Sequence, residues 1–449
     1  NTDFLLSYKK QFNRFHLGIN FGGNNMIYNH RNETLTAEKL STPNVFQISN
    51  SVDRPKVGYT LTEKMINSLY GMVSLNYNDT YFLDFTARND WSSALAKGNN
   101  SYFYPSVSAA VLIDQAIPGL RDTNWLDMLK IRGSWANVGN DTGAYKITDY
   151  YTNSSYSSSY VLPGTLNNPL LKPENTESWE VGIETHMFKK RISLDIAYYD
   201  SNTTNQILSV PTDQITGANY KLINAGKVNN HGVELSIGAK IIQKRNFSWD
   251  FNFNWSRNWN MLVELAPGVE LYQLNTSFTA SNNVFIYAYP GKELGRVYGY
   301  GFQRAPQGAY YVDQATGETV DCSGQIIVDS NGYPQLDSQN LIDLGSIYPD
   351  WKGGFSTTFR YKNLRLGMNF TYQYGGNCYS LTHAILASSG KTKDTLYGRY
   401  DGLVQEGVNI LADGTYTKNT TITQSAALYY PSYYFNRKNA ETNTYDTSF

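Results

Sequence analysis

Apolar and polar residues alternate with a period of two along most of this chain. Trp179, Val181, Ile183, Thr185 and Met187 interleave with Glu180, Gly182, Glu184 and His186. After Lys189-Lys190-Arg191, Ile192, Leu194, Ile196 and Tyr198 interleave with Ser193, Asp195, Ala197 and Tyr199. A period of two sends neighbouring side chains to opposite faces of a sheet, so one face is greasy and the other carries carboxylates. Phe247–Trp255, Leu364–Tyr374 and Val233–Ile241 repeat the pattern.

The alternating segments come in pairs. Phe4–Lys10 leads into Arg14–Gly22, Ile66–Tyr77 into Thr80–Arg88, and Tyr104–Ile113 into Met128–Val138. Ser178–Phe188 leads into Arg191–Thr203, Asn230–Ile242 into Phe247–Asn258, Asn283–Tyr289 into Arg296–Gln303, and Trp351–Tyr361 into Leu364–Tyr374. The pattern therefore predicts about seven hairpins and fourteen strands over residues 1–449. Two soluble sheets packed on their apolar faces would also alternate in this way. Loop lengths favour another arrangement. Tight turns such as Asn78-Asp79, Lys189-Lys190 and Lys362-Asn363 alternate with long connections, for example 23–65, 139–177 and 304–350. Short turns at one end and long loops at the other are the plan of an outer-membrane barrel. The expected fold is all-β, a transmembrane antiparallel β-barrel with lipid outside and water within.

Composition agrees with that plan. Charged residues make up 17%, below the roughly 25% of soluble domains, and the chain holds 37 Tyr, 20 Phe and 8 Trp. Tyr and Trp suit the membrane–water boundary because they carry an apolar ring and a polar tip. The net charge of −1 gives no pull toward nucleic acid. No apolar run is long enough for a transmembrane helix. The sequence starts Asn1-Thr2-Asp3 directly before a strand pattern and ends without an evident closing strand, so it reads as a fragment.

Chemistry-bearing motifs are sparse. There is no phosphate loop and no G-x-S-x-G elbow, and His16, His30, His186, His231 and His383 lack metal-ligand spacing. No cofactor or catalytic residue is expected. Glu180, Glu184 and Asp195 share a polar face, which a wet barrel interior explains without acid–base chemistry. Asp329–Tyr333, with Asp337 and Asp343 beyond it, is an acidic loop without EF-hand spacing, read as solvated rather than as a Ca²⁺ site. Cys322 and Cys378 are too few for a disulfide framework, and their pairing is left open. For ligand contact the candidates are the loop aromatics Tyr151, Tyr156 and Tyr160 and the polar-face groups Glu184, Asp195 and Arg365. Tyrosine faces suit sugars, whereas lumen charges suit peptides, and the sequence does not choose between them.

Several segments, in order, carry a family resemblance. These are Arg88-Asn89-Asp90-Trp91-Ser92-Ser93, Tyr104-Pro105-Ser106-Val107-Ser108, and Leu129-Lys130-Ile131-Arg132-Gly133-Ser134-Trp135 followed by Val138-Gly139-Asn140. Leu171-Lys172-Pro173-Glu174 with Trp179-Glu180-Val181-Gly182, Asn224-Ala225-Gly226-Lys227-Val228, and Tyr348-Pro349-Asp350-Trp351 continue the series. The chain resembles the barrel of TonB-dependent outer-membrane transporters, specifically the SusC/RagA-like branch of Bacteroidetes. That resemblance implies part of a 22-stranded barrel in the outer membrane of a Gram-negative cell, with the plug domain and its TonB-contacting segment outside this chain. It implies import of a glycan or oligopeptide with a SusD-like lipoprotein, powered through the TonB complex, and an assembly that pairs transporter–lipoprotein units into a dimer. An adhesin or structural barrel without transport is the alternative.

Overall fold

The computed structural model describes residues 1–121, 123–153, 159–275, 284–423, 426–435 and 440–448. Its main feature is one sheet of twelve strands in simple chain order. They are β1 (Thr2–Phe12), β2 (Phe15–Thr36), β3 (Lys56–Tyr77), β4 (Tyr81–Ser92), β5 (Ser101–Leu112) and β6 (Leu126–Asn140). β7 (Glu174–Met187), β8 (Ile192–Thr204), β9 (Lys227–Lys244), β10 (Phe247–Glu264), β11 (Trp351–Tyr361) and β12 (Leu364–Tyr374) follow. From β1 to β9 every neighbouring pair is antiparallel. By contacts the chain divides into two compact units. One holds residues 1–252, 263–267 and 358–366, and the other the remainder.

The register turns the alternation into rows. Phe12, Phe15, Tyr77, Tyr81, Val111, Ile131, Ile183, Ile196 and Leu235 lie side by side across nine strands. Ile131, Ile183 and Ile196 in this row are 45%, 48% and 42% exposed, so the apolar stripe faces outward and covers no protein core. The opposite face carries rows such as Ser74, Asp84, Ser108, Ser134, Glu180 and Tyr199. An exposed greasy face backed by a polar one is the pattern of a membrane wall.

Tight turns join the strands at one end. Asn78 and Asp79 both take positive φ, 57° and 50°, which Asn and Asp tolerate better than most residues and which matches a hairpin's twist. Phe188, Lys189 and Lys190 also take positive φ, an unfavourable choice for long side chains. Their amides are anchored from outside: Phe188 donates to the Trp125 carbonyl at 2.7 Å and Lys190 to the Asp127 carboxylate at 2.8 Å.

The strand count differs from the expected fourteen. The Asn283–Tyr289 and Arg296–Gln303 pair does form a hairpin, Val284–Ala288 with Arg296–Phe302. It belongs to a separate four-stranded sheet with Tyr272–Asn275 and Leu336–Ser346. Its residues are nearly all apolar or aromatic, so no lipid-and-water alternation exists, and Val284, Val297 and Ala440 form a core of their own. β2 and β3 depart in the other direction. They run 22 residues each, paired to Thr36↔Lys56, so most of the expected 23–65 loop is a two-stranded ribbon. Roughly 9–11 residues cross a bilayer, so about half of each strand projects beyond it. Among the described residues no helix is long and apolar enough to span a membrane, which leaves crossing by strands untouched.

The second unit also holds the loop around Ala426–Tyr430. Tyr429 and Tyr430 are buried there with Leu403, and Tyr333, Tyr433 and Tyr434 pack against them. Those rings hold the loop together.

Candidate functional site

The polar face carries a ladder of charges on β6, β7 and β8. Lys130, Glu184 and Asp195 are direct cross-strand neighbours. Lys130 Nζ lies 3.3 Å from Glu184, whose other oxygen is 3.4 Å from His186 Nε2. Arg132 sits one row away and reaches further. Its guanidinium donates to both oxygens of Asp195, at 3.0 and 2.9 Å, and its Nε lies 3.4 Å from Glu180. To do so it crosses β7 at Gly182. A Cβ on Gly182 would come within 2.7 Å of the Arg132 Cζ, so glycine is what lets an arginine on β6 grip a carboxylate on β8. The bidentate fork is the strong form of this contact. All of these side chains are partly in water, so each pair contributes only about 0.2–1 kcal/mol.

Two of the sequence candidates, Glu184 and Asp195, therefore stand together with Glu180, Lys130, Arg132 and His186. Each carboxylate is matched by a cation. Arg365 lies on β12, its side chain exposed and in no ion pair among the described residues. Tyr151 and Tyr160 are 68% and 69% exposed in the connection between β6 and β7. Tyr156 lies outside the described residues.

The acidic loop residues serve turns. Asp329 accepts the backbone N–H groups of Asn331 and Tyr333 at 2.8 and 3.0 Å, and Asp337 those of Gln339 and Asn340 at 2.9 and 3.0 Å. Asp343 is held by Arg296 at 2.8 Å. Among the described residues no three metal-capable side chains converge. Cys322 is a buried free thiol and Cys378 an exposed one.

A second polar cluster escaped the sequence reading. Arg88 Nε donates to Asp90 at 2.7 Å and its Nη2 to Ser68 at 2.8 Å, while the Tyr104 hydroxyl donates to the other Asp90 oxygen. Lys64 pairs with Asp141 at 2.6 Å nearby in the chain's register, and Ser92 bonds the same carboxylate. The signal was present in Arg88 and Asp90, two apart on one strand face. Their partners, however, come from β3 and β5, which only register brings together.

A wall with a greasy exposed face and a charged, hydroxyl-lined one is what comparison with known proteins also supports. Residues 1–377 match the family "TonB dependent receptor-like, beta-barrel". The chain belongs to this family. TonB-dependent receptor P3 of Formosa agariphila is 28% identical over 342 residues, covering 73% of this chain and 34% of that protein. TonB-dependent receptor SusC of Bacteroides thetaiotaomicron is 26% identical over 316 residues, covering 67% and 30%. The structure of the RagAB peptide importer in its closed-closed state superposes with a TM-score of 0.73 at 20% identity, over 99% of this chain and 47% of that one. The RagAB peptide transporter gives 0.69 at 21%, over 86% and 42%. The chain thus spans about a third of the length of the curated relatives it matches. The fold is that of an outer-membrane receptor β-barrel, and the family is one of receptors and transporters, not enzymes.

Proposed function

We propose that the protein containing this chain imports a large nutrient, a glycan or an oligopeptide, across the outer membrane. In this reading the sheet is a stretch of barrel wall, and the polar rows line the route. A plug outside this chain closes that route until the TonB complex pulls on it. A SusD-like lipoprotein covers the outer mouth and hands ligand over, and two such pairs assemble as a dimer. The exposed Tyr151 and Tyr160 would meet ligand first, and Glu184, Asp195 and Arg365 would meet it in transit.

The observation that carries this reading is the row structure: nine strands present one continuous apolar line outward, with ion pairs and hydroxyls behind it. A wall so built separates lipid from a wet path. The relatives named as TonB-dependent receptors, and the peptide importer with the same fold, support a transport role over adhesion.

Deletion of the gene tests it. The mutant should fail to grow on one class of polymer-derived nutrient that the parent uses. A protonophore should stop uptake of that nutrient in the parent within minutes. Uptake that proceeds without a proton gradient would overturn the TonB-driven reading, and a mutant that loses surface attachment and no nutrient would favour the adhesin.

A further inference from the structure

The polar face has a step in it. Leu5, Gly22, Tyr70, Arg88 and Tyr104 form one cross-strand row. The next row is Asn20, Met72, Thr86, Ser106 and Ala136, mostly short side chains. Where the tall row drops to the short one, the two bound a groove of about 620 Å³. Small-ligand sites typically measure roughly 300–1,000 Å³.

The Tyr70 ring lies on the sheet and does not stand up from it. A Cβ on Gly22 would come within 2.5 Å of the Tyr70 Cζ, so the ring covers that glycine on the neighbouring strand. One ring face meets the Gly22 backbone, and the Arg88 guanidinium lies over the ring. Covering a glycine in this way also supports the strand, and an aliphatic side chain could do that much. What surrounds the ring goes further. The Arg88 guanidinium lies 5.8 Å from the Tyr70 ring centre and is 37% exposed, its plane fixed by Asp90 and Ser68. Tyr104 is braced by Asp90 and by stacking on Tyr102, centroids 5.9 Å apart. Thr86 and Ser106 bond to each other on the groove floor.

Charge within the cluster is compensated, Arg88 by Asp90 and Lys64 by Asp141. An anionic ligand at Arg88 or Tyr104 would face Asp90 beside either donor. A peptide would need an unmatched charge for its termini or a free strand edge, and here the strand backbones are paired in the sheet. A ring face, fixed planar hydrogen-bonding groups and no net charge suit a neutral ligand with an apolar C–H face and a rim of hydroxyls.

We propose that the Tyr70–Arg88–Tyr104 row is a subsite for a neutral pyranose ring on the barrel wall. The proposal rests on the import reading for its route and chooses glycan over peptide. Its test needs no energy supply. The purified full-length receptor, with its lipoprotein where one co-purifies, is screened in detergent against an array of neutral oligosaccharides and a pooled hexapeptide library. At least one oligosaccharide should bind, with little dependence on salt. Tyr70→Leu keeps the glycine covered and should weaken binding about three- to tenfold. Arg88→Gln should weaken it roughly tenfold or more. Ala136→Trp leaves the polar cluster alone but fills the groove, and should also weaken it. Each variant is checked for the heat-modifiable gel mobility of a folded barrel. The subsite is overturned if no array sugar binds the parent, if peptides bind and sugars do not, or if folded variants bind sugar as the parent does. Sugar binding without proton-dependent uptake would sink the import reading and leave the subsite standing. Proton-dependent uptake with no sugar bound would do the reverse.

Discussion

Arg132 shows what a single side chain does on this wall. It joins three strands by crossing Gly182 to reach Asp195 while touching Glu180. Replacing it with Leu leaves two carboxylates without their cation. Full burial would make such a loss cost roughly 3–5 kcal/mol. Asp195 and Glu180 are 38% and 43% exposed, and solvent screening brings the expectation down to about 1 kcal/mol. The unfolding temperature read from the heat-modifiable gel band should fall a few degrees, and adding Asp195→Leu should recover part of the fall. Gly182→Val should do similar damage with no charge removed, because it blocks the crossing. An unchanged midpoint for both would show that the ladder contributes nothing. Alternation was enough to place Glu184 and Asp195 on the polar face. It could not supply Lys130 or Arg132 as their partners, because those lie more than fifty positions earlier and register alone aligns them.

At the scale of elements, the strands were most legible where lipid and water act on opposite faces at once. Arg191–Thr203 matches β8 to within one residue at each end, and Ser178–Phe188 covers β7 except for its first four residues. The signal failed where the surroundings were uniform. Beyond the bilayer β2 and β3 have water on both sides, so Asn24, Asn25, His30, Arg31 and Asn32 follow no alternation and read as loop. The Val284–Ala288 strand has protein on both sides and reads as apolar throughout. The same contrast predicts the effect of charge. Ile183→Arg puts a cation in the middle of the apolar row and should cost about 2–4 kcal/mol, whereas Ser178→Arg on the polar face should be near neutral. The folded fraction in outer-membrane preparations reads the difference, and equal yields of the two variants would contradict the face assignment. Trp249, which stacks on Phe359 with ring centres 5.4 Å apart, and Trp255 on the same β10 face should be quenched by brominated lipid. Their fluorescence should be indifferent to bromide in the water phase.

Across the whole molecule, acid should act on the loops before it acts on the wall, and the reason lies in where carboxylates do structural work. In three loop segments an aspartate accepts both the hydroxyl and the backbone N–H of the residue two positions on: Asp321 with Ser323, Asp413 with Thr415, Asp446 with Ser448. Those bonds favour the charged form and hold all three carboxyls below their ordinary range. Asp394 reaches the same result against opposition. Partial burial pushes it upward, but the Tyr434 hydroxyl at 2.5 Å and other donors outweigh that. A carboxyl depressed by folding stabilises the fold fully above its ordinary value and loses that contribution only as pH falls through the depressed one. Hydrogen exchange in the segments around 394, 413 and 434 should therefore stay flat from pH 8 to about 4, after correction for intrinsic rates, and rise below that. The apolar rows carry no acid, and the part-exposed ion pairs of Glu180, Glu184 and Asp195 on the polar face contribute only about 0.2–1 kcal/mol each, so strand amides in β7 and β8 should keep most of their protection through the same range. Loss of loop protection between pH 7 and 5 would mean that a group with a higher value governs these loops, and would remove the aspartate turns as their cause. Strand amides opening together with the loops would mean that the two are one cooperative unit, although the loops are packed on cores of their own that include no β7 or β8 residue.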